Sequence, residues 1–152
     1  MTLNVDSQTF MDFLGWYAQT GNKYIEINAD ELDIMYKLAV LNLQSSYVAK
    51  LYNVKLSRIA TIGYNIETII ERYKLLTSND EFKFFLGLLN HKYRNLIGRT
   101  NIDSMEKLDE GIKTGSLMKE RGIGKAAYTY ILSMYNLCKE DFNKDRRIPW
   151  VY

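Results

Sequence analysis

The chain has 152 residues, 47% of them hydrophobic, and 20 Lys and Arg against 18 Asp and Glu leave a net charge of +2. That length supports one ordinary domain or two small ones with modest cores, and no apolar run is long enough to cross a membrane as a helix, which excludes a helical membrane protein. Cys138 is the only cysteine, so an internal disulfide is excluded, and with no positive charge ahead of the first apolar residues the expectation is a soluble, cytoplasmic protein.

A single proline, Pro149, and only nine glycines point to an all-α chain with short connections. Asp6 or Ser7 is placed to cap a first helix carrying Phe10, Phe13, Leu14 and Tyr17, with Gly21 and Asn22 ending it. Residues 24–27 alternate in polarity and suit a short extended stretch. Asn28 and Glu31 have capping-box spacing ahead of a strongly amphipathic helix through Leu32, Met35, Tyr36, Ala39, Val40 and Leu43.

Residues 45–64 have the pattern of a helix-turn-helix. Val48, Ala49, Tyr52, Val54, Ile59 and Ile62 are inward candidates. Ala49 is small where the two helices must cross, and Asn53 tolerates the left-handed conformation such a turn needs. The second helix would then present Lys55, Ser57, Arg58, Thr61 and Tyr64 to a major groove. The alternative is a plain trihelical packing unit of the same pattern.

Residues 66–76 read as a further helix, and the polar stretch 77–80 reads as a junction that also caps the next helix, placing the domains at 1–78 and 79–152. Phe82, Phe85, Leu86 and Leu89 are too aromatic for an exposed linker helix and should pack. On the last helix, Tyr128 and Tyr135 share a core face while Tyr130 points elsewhere, toward the surface. Residues 143–152 mix charges with Trp150 and Tyr152, as a frayed end or an anchoring segment.

Between these elements lies Gly122-Ile123-Gly124-Lys125, two glycines around one aliphatic residue, preceded by the apolar Leu117 and Met118 and followed by a helical run over 126–137. Such a turn reverses the chain sharply and leaves free N–H groups at the mouth of the next helix, where a phosphate can sit. It reads as a helix-hairpin-helix.

Residues 88–132 resemble the C-terminal domain of the RNA polymerase alpha subunit. The resemblance rests on residues 92–97 (KYRNLI), 101–108 (NIDSMEKL) and 117–125 (LMKERGIGK) in that order. It implies a helix-hairpin-helix domain that holds the backbone on the minor-groove side of DNA. Lys92 stands where the family has an arginine, Asn95 matches its asparagine, and Gly124 and Lys125 match the first half of its hairpin stretch. Ala126 and Ala127 replace the second lysine and the serine, and Glu120 replaces an aliphatic residue that seats the turn.

The charge is distributed to match. No acidic residue lies between Asp33 and Glu67, an interval holding Lys37, Lys50, Lys55 and Arg58, and none lies between Glu81 and Asp103, an interval holding Lys83, His91, Lys92, Arg94 and Arg99. Enzymatic chemistry has little to stand on. His91 and Cys138 lack partners at ligand spacing, no nucleophile motif accompanies His91, and no cofactor is implied. A DNA glycosylase would want its lysine one place later than Lys125 and a buried aspartate where Asp141 sits in a polar segment.

The expectation is therefore a non-enzymatic DNA-binding transcriptional regulator. Lys55, Ser57, Arg58 and Thr61 would approach bases, and Lys92, Asn95, Gly122, Gly124 and Lys125 would hold phosphates. The alternative is a phage-type interaction protein that engages RNA polymerase or another nucleic-acid machine, which the loss of the second hairpin lysine and serine favours.

Overall fold

A computed structural model describes residues 5–142, so the tail 143–152 with Trp150 and Tyr152 lies outside the described residues. Among the described residues there are eight α-helices, two short 3-10 turns and no strand: the protein is all-α. The chain divides into two compact units, Met1–Tyr73 and Lys74–Tyr152. That division falls a few residues ahead of the polar stretch 77–80, within the last turn of a helix.

Unit 1 begins with α1 (Ser7–Gln19), capped by the Asp6 carboxylate, which accepts from the Thr9 amide at 2.7 Å. Those bonds, the amide foremost, hold the Asp6 carboxyl below its ordinary pKa. Phe10, Phe13 and Trp16 form its buried stripe, and the ring of Tyr73 packs edge-on to Phe13 at 5.7 Å between centroids. The Trp16 ring lies directly over Gly21, leaving no room for a side chain there. Residues 24–27, whose alternation suited an extended stretch, form no strand, and among the described residues there is none for them to pair with. Ile25 alone is buried from that stretch, and the Tyr17 hydroxyl accepts from the Ile27 amide at 3.1 Å.

Asn28 caps α2 (Ala29–Ala39) by accepting from the Glu31 amide at 3.0 Å. The pair α3 (Ser45–Tyr52) and α4 (Leu56–Leu76) follows, joined by Asn53 in the left-handed conformation, φ 53° and ψ 50°. The residue type and the turn agree, since Asn enters that region at less cost than a branched side chain. Val48, Ala49, Ile59 and Ile62 are buried as the pattern required, Tyr52 is half-buried, and Val54 is exposed instead of inward. The apolar period continues past Tyr64 through Ile66 and Ile70, so the second helix of the pattern expected over 45–64 and the further helix expected at 66–76 are one helix of 21 residues.

Unit 2 contains α5 (Glu81–Leu88), α6 (His91–Gly98), α7 (Met105–Thr114) and α8 (Lys125–Asp141), with a 3-10 turn at Ser116–Lys119. Asp80, Asn90 and Ser104 cap the first three, each side chain accepting from a first-turn amide. Gly115, at φ 77°, ends α7. Phe84, Phe85, Leu88, Leu89, Ile97, Leu108, Leu117, Ile123 and Ile131 make the core.

Two glycines of unit 1 separate packing from propensity. Nothing lies within 4 Å of a Cβ added at Gly15, inside α1, so Gly15→Ala should stabilise by about 0.5–1 kcal/mol. Gly21→Ala would drive a methyl into the Trp16 ring and should destabilise by about 1–3 kcal/mol. Paired urea melts of the two variants check both signs.

Candidate nucleic-acid interface

The glycine turn is closed by the Ile123 amide donating to the Glu120 carbonyl at 3.1 Å, with Gly122 at φ 89° in the third position of the turn. That φ is where glycine is needed, and a Cβ on Gly122 would also stand 3.1 Å from a methyl of Leu96 on α6. Ile123 is buried beneath the turn. Gly124 differs from expectation: its φ of −86° is open to any residue, and nothing lies within 4 Å of a Cβ placed there. That open space lies at the start of α8, whose first turn has no side-chain cap, an arrangement that suits an anion. The element before the turn is the four-residue 3-10 turn, not a full helix, so only the second helix of the expected hairpin is complete.

Three contacts hold α6 beside this turn. Leu96 rests on Gly122, and the Tyr93 ring stacks on Tyr130 of α8 with centroids 4.4 Å apart, while the Tyr130 hydroxyl accepts from the Asn90 amide at 3.0 Å. Tyr130 is thus a half-buried clamp and not the surface residue its helical position suggested. With Tyr93 turned to α8 and Leu96 to the glycine turn, Lys92, Asn95 and Arg99 occupy an exposed side of α6 at i, i+3 and i+7. Asn95 shares a hydrogen bond with His91 at 3.2 Å, and the Lys92 ammonium lies 5.5 Å from the Tyr93 ring centre. Among the described residues, Lys92, Arg99, Arg121 and Lys125 have no carboxylate partner. Arg94, counted among the cations of this interval in the sequence, turns inward and donates to the Leu89 carbonyl at 3.3 Å.

In unit 1 the tertiary fold alters the charge picture more. Lys55, Ser57, Arg58 and Thr61 are all exposed at the start of α4. Arg58, however, is in an ion pair with Glu31 of α2, and Lys37 bonds Asp33 at 2.7 Å, with the Tyr52 hydroxyl bonded to the same carboxylate. The acid-free interval is acid-free along the chain but not in space, since α2 delivers Glu31 and Asp33 to it. Thr61 spends its hydroxyl proton on the Ser57 carbonyl at 3.1 Å. Lys50 and Lys55 remain exposed cations without a carboxylate partner.

A second polar cluster in unit 2 joins α5, α7 and α8. The Tyr135 hydroxyl donates to Asp109 at 2.5 Å, and Lys139 lies 3.3 Å from Asp109 and 3.4 Å from Glu81. Beside it, burial first and then the Glu81 charge push the Cys138 thiol from 9.0 up to about 12. Burial, followed by the bond to Asp109, raises Tyr135. Burial pulls Lys139 down, but the Asp109 and Glu81 carboxylates outweigh it and its net shift is upward. The cluster braces three helices; among the described residues no group of three or more His, Cys, Asp or Glu is arranged to hold a metal.

No family model, curated protein sequence or solved structure matches the chain. No helix among the described residues is long and apolar enough to cross a membrane.

Gly122→Ala should destabilise unit 2 by about 1–2 kcal/mol, because the new Cβ meets both an unfavourable φ and Leu96. Gly124→Ala should change stability by less than about 0.5 kcal/mol. Thermal melts of the pair test the turn geometry. The raised pKa values predict an alkaline loss: a group whose folded pKa is raised stabilises below its unfolded pKa and ceases to as pH climbs through the folded one. For Cys138 that window runs from 9.0 to about 12. Stability measured by urea titration should fall across it, and less so in Cys138→Ala once compared with its own value at pH 7.

Proposed function

We propose that this protein is a non-enzymatic DNA-binding transcriptional regulator in which unit 2 grips the phosphate backbone and the α3–α4 pair approaches the bases. One observation carries the reading. A glycine turn with an uncapped, approachable helix start lies beside an α6 face bearing Lys92, Asn95 and Arg99, and Lys92, Arg99, Arg121 and Lys125 have no carboxylate partner. Unpaired cations around free backbone amides suit phosphate oxygens, whose affinity comes from charge and counterion release and needs no base recognition. The resemblance to the polymerase alpha C-terminal domain supports the same use of Lys92, Asn95, Gly124 and Lys125. In unit 1, Lys55, Ser57 and Thr61 are available to a groove, and Arg58 would have to exchange Glu31 for a base edge or phosphate.

A second reading, an interaction protein engaging RNA polymerase or another nucleic-acid machine, is favoured by the apolar residues that unit 1 leaves exposed, among them Tyr47 and Leu51.

DNA affinity should be measurable at low salt and fall steeply as salt rises. Lys92→Ala and Lys125→Ala should each weaken binding to all sequences by a similar factor and lower the salt slope by about 1. Fluorescence anisotropy on random and genomic duplexes gives the answer, and an absence of binding at low salt hands the case to the second reading.

A further inference from the structure

Unit 1 leaves a row of large apolar side chains outside its core. On α3, Tyr47 and Leu51 are 53% and 50% exposed; Val54 at the turn is 37% exposed, and Leu56, which opens α4, is 56% exposed. Tyr47 and Leu51, at i and i+4, share one face of α3, and Val54 follows directly after the left-handed turn at Asn53. The opposite side of α3 already buries Val48 and Ala49 in the core. A helix that is apolar on both sides has a second face to cover.

The charges on this row state what covers it. Lys50 lies between Tyr47 and Leu51, and Lys55 between Val54 and Leu56; both are exposed, and neither has a carboxylate partner among the described residues. No acidic residue occurs between Asp33 and Glu67 to supply one from the row itself. A second copy of the chain meeting this face across a two-fold axis would bring lysine toward lysine as water is expelled, which is unfavourable. An apolar stripe flanked by carboxylates satisfies both features.

We infer that the outer face of α3 is a docking surface for an acidic amphipathic helix of a partner protein. Its Leu or Phe side chains pack on Tyr47, Leu51 and Val54, and its Asp or Glu side chains pair with Lys50 and Lys55. The inference goes beyond the phosphate grip of unit 2, and in unit 1 it shares Lys55 with the residues proposed to approach a groove.

The test is a titration of the full chain with a designed helical peptide whose Leu and Phe stripe is flanked by Glu, against the same peptide with Gln for every Glu. The acidic peptide should bind, and the Gln peptide should bind about tenfold or more weakly. Leu51→Asp, at a half-exposed position, should cost the acidic peptide about tenfold or more while the helical circular dichroism is unchanged. Lys50→Glu should do the same and is the second variant should Leu51→Asp unfold. Lys125→Ala should leave peptide binding intact whatever it does to DNA, so failure of the DNA reading and failure of this one are distinguishable. Equal binding of the two peptides, no binding of either, or indifference to both unit 1 substitutions overturns the inference. So does sedimentation showing a dimer that Leu51→Asp dissociates, or preferential capture of the chain by anionic vesicles through the same residues.

Discussion

The candidate phosphate face depends on one close approach, a Leu96 methyl only 3.1 Å from where a Cβ on Gly122 would stand. Because Gly122 lacks a Cβ and takes a positive φ, the chain reverses in the space of a turn, and α6 seats directly on that reversal. Ile123 is thereby pressed into the core while Gly124 and the first amides of α8 are left open to the surface. The stacked Tyr93 and Tyr130 rings then fix the rotation of α6, which decides that Lys92, Asn95 and Arg99 face out and Arg94 faces in. The candidate site is held by packing behind the turn, and Lys92, Arg99, Arg121 and Lys125 at its rim have no carboxylate partner among the described residues.

Unit 1 treats its cations in the opposite manner. Glu31 and Asp33, two residues apart near the start of α2, reach α4 and α3 through Arg58 and Tyr52. These contacts tie the helix pair to the helix before it, and they consume part of the positive charge that a groove-reading surface would otherwise offer. The net attraction of such exposed pairs is small, so Arg58 is not lost to a stronger partner, but a duplex must compete with Glu31 for it. What unit 1 exposes without competition is apolar: Tyr47, Leu51 and Leu56, with Lys50 and Lys55 between them. The two units thus differ in chemistry, one presenting unpaired charge around open backbone and the other an apolar row with a basic edge.

Local features of the fold were legible in the sequence because their causes are local. Asp6, Asn28 and Asp80 accept first-turn amides where helix-capping chemistry placed them, and Asn53 takes the left-handed turn that separates α3 from α4. The buried Val48, Ala49, Ile59 and Ile62 follow from the 3.6-residue period alone. Periodicity misled where tertiary context governs. Residues 24–27 alternate but have no strand to join among the described residues, Tyr64 does not interrupt α4, and Val54 is exposed.

By itself the sequence determined the all-α class, the positions of the caps and turns, and the glycine reversal that puts an approachable helix start next to Lys125, since each depends on residues within a few positions of one another. Only the tertiary structure decided which charges are usable. Arg94 is drawn inward, Arg58 and Lys37 meet carboxylates that lie outside their acid-free interval, and Lys92 and Lys125 keep none. It also decided that Gly122, and not Gly124, is the glycine the turn cannot replace. The reason is physical: caps and turns are set by short-range hydrogen bonds and backbone sterics, whereas electrostatic neutralisation and close approach depend on distances through space, which linear spacing does not encode.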